Sequence, residues 1–177
     1  MTAKVDGPRV VIVMGVSASG KSTVGPRLAQ QLGVPFLEGD ELHSAAEIAK
    51  MAAGHPLDDA DRRPWPSALS QWIRSAVSHG GGGVVACSSL KRRYRDELRS
   101  AGEGAHVCFI HLALDHRLAA ERIAGRKGHF MPPGLLDSQF AVLEPLQDDE
   151  PGVTVDAGAP REQVVAAALR AVAEPDG

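Results

Sequence analysis

Five short runs of apolar residues alternate with longer segments in which apolar residues recur every three or four positions. The runs are rich in β-branched residues and apolar at almost every position, which is typical of parallel strands covered by helices on both faces. Strands are predicted at residues 10–14, 35–37, 84–87, 107–112 and 153–155. This alternation predicts an α/β fold in three layers, with a central parallel sheet of about five strands between helices.

Helices are predicted in the segments between these strands. One begins behind Pro64, because proline suits the first turn of a helix. Another carries Leu118, Arg122 and Arg126 at four-residue spacing, and a last one follows Pro160. The chain therefore has the covering helices that a parallel sheet requires.

The length of the chain, 177 residues, is that of one domain, and no linker to a second domain is evident. We expect residues 1–177 to form a single domain, with residues 1–8 as a flexible tail. Glycines occupy positions 80–83, between a predicted helix and a predicted strand. A glycine cradle for phosphate is normally followed by a helix N-terminus, so we expect a flexible connection there instead.

Composition excludes several classes of protein. A net charge of −3 and an aromatic content of 4% argue against binding to nucleic acid or to an anionic membrane surface. The apolar run at residues 10–14 is too short to cross a membrane. Cys87 and Cys108 lie in apolar runs, and we expect both to be buried free thiols. Free thiols suit a reducing cytoplasm.

The strongest chemical signal is a glycine-rich segment, here called the phosphate loop, between the first strand and a helix predicted at residues 21–32. It matches the pattern G-x-x-x-x-G-K-[ST]. Its residues are Gly15, Val16, Ser17, Ala18, Ser19, Gly20, Lys21 and Ser22, followed by Thr23. Glycines let backbone N–H groups turn toward an anion, and the helix N-terminus adds positive potential. We therefore expect a nucleoside triphosphate site, with Lys21 on the phosphates and the Ser22 hydroxyl on Mg²⁺.

Signatures of other nucleotide-binding classes do not occur in the sequence. It contains no N-K-x-D motif for reading guanine, and no apolar strand that ends in Asp-Glu as in motor or transport ATPases. A small kinase remains, in which a phosphate acceptor lies opposite the phosphate loop.

Polar residues follow the second and third strands, whose ends face the same crevice as the phosphate loop. Glu38 and Asp40 follow the second strand; one could hold Mg²⁺ through water and the other could accept a hydroxyl proton. Hydroxyl groups and cations follow the third strand, among them Ser88, Lys91 and Arg95. Because cations are unfavourable at a helix N-terminus, this cluster predicts a bound anion rather than a merely solvated helix start.

A cationic segment flanked by glycines follows the helix that carries Arg122. Such a segment is typical of a mobile lid that brings arginines onto a transferring phosphoryl group, although an exposed basic loop has the same composition. We expect the lid at about residues 122–137, with Arg126 neutralising charge on the transferred group.

Taken together, these motifs resemble the gluconokinase family of small P-loop sugar-acid kinases, relatives of the shikimate kinases. The resemblance covers roughly residues 10–158, and its specificity lies in Gly-Asp-x-Leu-His, Asp-Arg-x-Pro-Trp, Cys-Ser-x-Leu-Lys and Lys-Gly-His-Phe together with the phosphate loop. The matching stretches are residues 15–22, 38–43, 50–51, 54–59, 61–65, 86–91, 94–96, 126–131, 138–139 and 143–144.

The resemblance implies that the chain phosphorylates D-gluconate at its 6-hydroxyl with ATP and Mg²⁺, in the cytoplasm and as a homodimer. It implies that Asp40 accepts the proton of this hydroxyl, and that Ser22 and, through water, Glu38 hold the metal. For the nucleotide it implies contacts from Arg122, Arg126, Asp156, Ala157 and Pro160. For the acceptor it implies contacts from Asp40, His43, Arg62, Ser88, Lys91, Arg95 and His129.

Four residues depart from the expected pattern. Ala18 stands where the family often has glycine, which should be tolerated if φ is negative there. Glu38 stands where aspartate is frequent, which alters the surroundings of the metal, and Ser44 stands where proline is common. Pro26 lies about one turn into the helix after the phosphate loop, where we expect a small kink.

Two alternatives remain open from the sequence. The chain could be a kinase of another small hydroxy acid, such as shikimate or glycerate, which a panel of acceptors would reveal. It could also be a non-catalytic module, which would bind ATP but show no acceptor-dependent release of ADP.

Overall fold

The computed structural model describes residues 7–39, 53–54, 64–125 and 133–173. Five strands in this part of the chain form one parallel sheet in the order β2-β3-β1-β4-β5. Their bounds are β1 Arg9–Met14, β2 Phe36–Glu38, β3 Gly82–Ala86, β4 His106–Ala113 and β5 Gly152–Asp156. The five predicted strands are confirmed, with ends that differ by no more than two residues.

Six helices lie in the same part of the chain. Their bounds are α1 Lys21–Leu32, α2 Pro64–Ser78, α3 Arg92–Ala101, α4 His116–Ala124, α5 Pro133–Val142 and α6 Arg161–Ala173. The helix predicted at residues 21–32 is confirmed and continues through Pro26. Helix α5 was not predicted, because its sequence was assigned in part to the lid.

The central strand β1 separates two hydrophobic cores. Val11 and Val13 contribute to one core, and Val10, Ile12 and Met14 contribute to the other; all five are fully buried. Helices α1 and α6 pack into the first core, whereas α2 and α3 pack into the second. Coverage on both faces explains why β1 is apolar at every position from 10 to 14, and the three-layer α/β arrangement is confirmed.

The glycine run at residues 80–83 is only partly a connection, which corrects the sequence prediction. Gly82 and Gly83 belong to β3. Gly82 has φ +84°, and a Cβ there would lie 2.0 Å from the carbonyl oxygen of Arg9 on the neighbouring strand. A Cβ on Gly83 would lie 2.5 Å from the Trp72 ring. Close packing, not flexibility, is therefore the reason that positions 82 and 83 require glycine.

Parts of two sequence predictions lie outside the described residues. These are positions 1–6 of the predicted flexible tail and positions 126–132 of the predicted lid. The described ends of the lid segment are helical, since α4 extends to Ala124 and α5 begins at Pro133. None of the helices between residues 7 and 173 that the structure describes is long and apolar enough to cross a membrane.

Candidate active site

The phosphate loop joins the end of β1 to the start of α1 and folds back against the end of β4. Gly15 has φ +151°, and a Cβ there would lie 2.7 Å from Ser19 Oγ and 2.8 Å from the carbonyl oxygen of Leu112. A side chain at position 15 would therefore displace the loop. The Gly15 N–H donates to the carbonyl oxygen of Ser88 at 3.3 Å, which ties the loop to the chain that follows β3.

Lys21 lies beneath the phosphate loop at the first position of α1. Its ammonium group donates to the carbonyl oxygens of Gly15 at 2.9 Å and Val16 at 3.0 Å, and the residue is buried. The cap residue of the helix, Gly20, has φ +102° and provides no side-chain acceptor for the first-turn N–H groups. These N–H groups and the buried charge make the start of α1 suited to an anion.

Ala18 adopts a left-handed backbone conformation, with φ +67°. The expectation that φ is negative at this position is therefore wrong. An L-residue in this region brings its Cβ close to the following carbonyl, at a cost of about 1–2 kcal/mol. The tight turn of the loop requires this conformation, so a residue with a side chain occupies a position better suited to glycine.

Arg122 connects the phosphate loop to the segment after β5. Its guanidinium donates to the carbonyl oxygen of Ala18 at 3.2 Å and to that of Ala157 at 2.7 Å. Asp156 accepts from the N–H of Gly158 at 2.8 Å within the same segment, and the side chain of Ala157 is buried. Arg122 thus connects Ala18 with Ala157, and all three are residues that the sequence assigned to the nucleotide. The contacts at Ala18 and Ala157 are made by their backbone carbonyls. Pro160 lies just beyond Ala157.

Gln139 of α5 contacts the outer side of the phosphate loop and was not assigned a role from the sequence. Its amide oxygen accepts from the Ser17 N–H at 2.7 Å, and its amide nitrogen donates to Ser17 Oγ at 3.0 Å. The two residues are 122 positions apart. The only sequence signal was that residues 138–139 belong to one of the family-like stretches.

Ser22 and Glu38 lie side by side, where α1 begins and β2 ends. The Ser22 hydroxyl donates to Oε2 of Glu38 at 2.6 Å. A hydroxyl and a carboxylate are oxygen donors of the kind that Mg²⁺ prefers, so this pair fits the metal expected there. Asp40, two positions beyond Glu38, lies outside the described residues.

The segment that follows β3, residues 87–91, is here called the acceptor loop. Ser88 is half-buried, and Ser89 is buried in a left-handed conformation with φ +46°. The Sγ of Cys87 lies 2.8 Å from Ser89 Oγ, and Lys91 occupies the position immediately before α3. Ser88 and Lys91 therefore share the edge of the sheet with the phosphate loop. Cys87 is the buried free thiol that was expected, whereas Cys108 is half-buried.

Arg95 is not an acceptor-binding residue in this structure, which corrects the sequence prediction. It is fully buried, and Nε and Nη2 donate to the two carboxylate oxygens of Glu150 at 2.6 and 3.0 Å. The remaining N–H groups donate to the carbonyl oxygens of Ser89 at 3.0 Å, Leu90 at 3.2 Å and Pro145 at 3.4 Å. A guanidinium has five N–H donors, so all are used within the protein.

The anion that balances Arg92, another of the arginines at this helix start, also comes from the chain itself. Arg92 makes two hydrogen bonds to Asp149, at 2.6 and 2.7 Å, and its N–H donates to Glu144 at 2.9 Å. The hydrogen bond from Arg92 lowers the pKa of Asp149. Two arginines of the basic cluster, at positions 92 and 95, are therefore paired with carboxylates of the chain itself.

His111 lies near the end of β4 and is buried, with 4% of its surface exposed. Burial lowers the pKa of His111, and the positive charges of Arg95 and Lys21 lower it further. Within the described residues, His111 Nδ1 and the buried Ser19 Oγ have no hydrogen-bond partner. The positive charges of Lys21 and Arg95 thus act on the interior beside the phosphate loop, where they and burial disfavour protonation of His111.

Five further residues that the sequence assigned to the site lie outside the described part of the chain. They are the expected base, two residues of the predicted lid and two expected acceptor contacts: Asp40, Arg126, His129, His43 and Arg62. Their roles stay predictions.

The comparisons with known proteins agree with this geometry. A family model described as an AAA domain matches residues 10–146. The chain is 48% identical to the gluconokinase of Gluconobacter oxydans over 148 residues, which is 84% of this chain and 82% of that protein. It is 45% identical to the thermosensitive gluconokinase of Escherichia coli over 139 residues, 78% of this chain and 73% of that protein. The crystal structure of a gluconokinase from Sinorhizobium meliloti matches with a TM-score of 0.83 and 42% identity, covering 96% of this chain and 95% of that one.

A parallel sheet whose central strand runs through a phosphate loop into a helix defines a P-loop protein of the small-kinase type. The acceptor loop at the same edge of the sheet places the polar residues after β3 beside this loop. At these identities and coverages, the chain belongs to the gluconokinase family.

Proposed function

We propose that the protein transfers the γ-phosphoryl group of ATP to the 6-hydroxyl of D-gluconate, giving 6-phosphogluconate and ADP. The observation that carries this proposal is the hydrogen bond from the Gly15 N–H to the carbonyl oxygen of Ser88, at 3.3 Å. It brings the phosphate loop and the acceptor loop together, as in-line transfer between two bound substrates requires. Membership of the gluconokinase family supplies the identity of the acceptor.

The nucleotide is held by groups that converge on the phosphate loop. Lys21 exchanges its contacts with the loop carbonyls for the β- and γ-phosphates, and the loop N–H groups cradle them. Arg122 holds the loop and the segment at Asp156, Ala157 and Pro160 together on the adenine side. Because the Ala157 methyl is buried, this segment would offer its backbone and Pro160 to the base. Arg126 neutralises charge on the transferred group.

Ser22 and Glu38 are the residues that would hold Mg²⁺, with Glu38 acting through water. The metal supplies charge neutralisation on the triphosphate when it is bound. Glutamate at position 38 reaches the Ser22 hydroxyl at 2.6 Å, so the longer side chain is compatible with this arrangement.

The acceptor is held opposite the phosphate loop. Asp40 orients the 6-hydroxyl and accepts its proton, a role that contributes about 10²–10⁴-fold in rate in other enzymes. Lys91 and Ser88 hold the carboxylate and hydroxyls of the sugar acid, with His43, Arg62 and His129. Arg95 supports this site indirectly, because it holds the carbonyl groups of Ser89 and Leu90.

The decisive experiment measures ADP release with Mg-ATP alone and with D-gluconate, shikimate or D-glycerate. Stimulation by gluconate and not by the other acids is the expected result. Stimulation by another acid instead would replace the acceptor but keep the phosphoryl-transfer site. No stimulation by any of them would leave an ATP-binding protein without the proposed activity.

The role of Asp40 is tested by Asp40→Asn. This variant should lose gluconate-dependent turnover, because the amide cannot accept the hydroxyl proton, and should still bind ATP. Unchanged turnover would remove Asp40 from this role.

We further propose a homodimer in the cytoplasm, as the family resemblance implies. Light scattering after size-exclusion chromatography would report the mass of a monomer if the dimer is wrong.

A further inference from the structure

One short piece of chain contacts both substrate loops. Within α5, Gln139 makes two hydrogen bonds to Ser17 of the phosphate loop. Five positions later, the Glu144 N–H donates to the carbonyl oxygen of Leu90 in the acceptor loop at 2.7 Å. The Glu144 carboxylate also accepts from the Arg92 N–H at 2.9 Å, so it caps the first turn of α3.

The piece between these contacts is held by hydrogen bonds along α5 and by contacts with α4. The Leu143 N–H donates to the carbonyl oxygen of Gln139 at 3.0 Å, which continues the helical hydrogen bonding of α5 to the residue before Glu144. Helix α5 is also held against α4. Asp137 pairs with His116 at 2.5 Å, and the rings of Phe140 and His116 lie 5.2 Å apart. A displacement of the phosphate loop at Ser17 would therefore be transmitted toward Leu90.

The contact at Ser17 determines both position and orientation. Gln139 binds the backbone N–H and the side-chain hydroxyl of the same residue, at 2.7 and 3.0 Å. The next residue, Ala18, is held through its carbonyl by Arg122 of α4. The two helices that flank residues 126–132 thus each hold one residue of the phosphate loop.

We propose that Gln139 is a positioning residue that couples the nucleotide site to the acceptor site through α5. When a nucleotide occupies the phosphate loop, it fixes the position of Ser17, which fixes Gln139 and, through α5, Glu144. The acceptor loop is then already in the conformation that binds the sugar acid. The proposal rests on the proposed function for the identity of the acceptor. The direct hydrogen bond between Gly15 and Ser88 provides a second route, so loss of Gln139 weakens the coupling without abolishing it.

The test measures gluconate affinity by calorimetry, with and without a saturating non-hydrolysable ATP analogue. The ratio of the two dissociation constants is the coupling factor. For the wild type we expect a factor of about five or more. For Gln139→Met, which keeps the length of the side chain but removes both hydrogen bonds, we expect a factor that stays above one but does not exceed about two. Gln139→Glu keeps an acceptor for the Ser17 N–H and for its hydroxyl proton, and should restore the coupling.

Ser138→Ala is the matched control, because within the part of the chain that the structure describes the Ser138 hydroxyl donates only to the carbonyl oxygen of Gly134 in the same helix. It should keep the wild-type factor. A merely structural role for Gln139 would lower the melting temperature and both affinities without changing their ratio.

The outcomes separate this proposal from the proposed function. If the wild type binds no gluconate with or without nucleotide, the proposed function fails. If the wild type binds gluconate but its coupling factor is one, or if Gln139→Met keeps the wild-type factor, the inference about Gln139 is overturned and the proposed function stands.

Discussion

The carboxylate of Glu150 accepts two hydrogen bonds from the guanidinium of Arg95, and both side chains are almost completely buried. The pair lies behind the acceptor loop, where Arg95 also holds two of its carbonyl groups. Burial raises the pKa of Glu150, but the hydrogen bonds from Arg95 and the Gln147 N–H, with the positive charges of Arg95 and Arg92, lower it more, and the net pKa is below its usual value.

Glu150→Gln should destabilise the protein by roughly 3–5 kcal/mol at pH 7, because it leaves a buried arginine without a countercharge. Since the pKa of Glu150 is lowered on folding, its contribution is fully present above the unfolded value of about 4.3. It is lost as the pH falls through the lower folded pKa. Urea unfolding should be measured at pH 7 and at progressively lower pH. The difference in unfolding free energy between wild type and variant should disappear only at acid pH.

The exposed ion pair between Arg27 and Glu162 provides the control for this experiment, since 76% of the Glu162 side chain is exposed. Glu162→Gln should change the unfolding free energy by less than about 1 kcal/mol. Equal effects of the two substitutions would contradict a special role for the buried pair.

Arg122→Ala should weaken ATP binding more than acceptor binding. The substitution removes the hydrogen bonds that hold the carbonyls of Ala18 and Ala157, and the KM for ATP should rise about 10–100-fold. Steady-state kinetics should show a much smaller change in the KM for the acceptor. Arg117→Ala, on the exposed side of the same helix, is the control; a parallel rise in both KM values for Arg122→Ala would argue for general damage.

Ala18→Gly should stabilise the protein slightly. Glycine relieves the left-handed strain at φ +67° but loses more backbone entropy on folding. A net gain of up to about 1 kcal/mol corresponds to roughly 2–4 °C in melting temperature for a domain of this size. Calorimetry should show the opposite sign for Ala166→Gly inside α6, where glycine only weakens the helix. A lower melting temperature for Ala18→Gly would mean that the conformation at residue 18 is not strained.

Glu38→Gln should raise the Mg²⁺ concentration needed for half-maximal binding to the nucleotide complex by about tenfold or more. The amide can still accept from the Ser22 hydroxyl, so the fold of the site is kept while the negative charge is lost. Paramagnetic titration with Mn²⁺ in the presence of ATP measures this directly. Glu97→Gln on the exposed side of α3 should leave the titration unchanged; the same affinity in both variants would remove Glu38 from the metal site.

Local sequence patterns determined the framework of this protein. An apolar run is buried as a strand in any sheet covered on both faces, and the phosphate loop with α1 is encoded within nine consecutive residues and the helix behind them. For this reason the sequence could predict β1 and α1. It could also predict that Ser22 and Glu38 converge at one edge of a parallel sheet. The family-specific motifs identified the acceptor class in the same way.

The tertiary structure alone decided which polar residues are buried against distant partners in the chain and which remain at the edge of the sheet beside the phosphate loop. Lys91 and Arg95 belong to the same basic run, yet Arg95 is fully buried because Glu150, 55 positions later, supplies a buried carboxylate. Gln139 acquires a role only because α5 packs its side chain beside Ser17, 122 positions earlier. Likewise, the conformation of Ala18 follows from how the loop is held between β4, α4 and α5. Hydrogen-bond partners so distant in sequence are chosen by packing, and a local pattern carries no information about them.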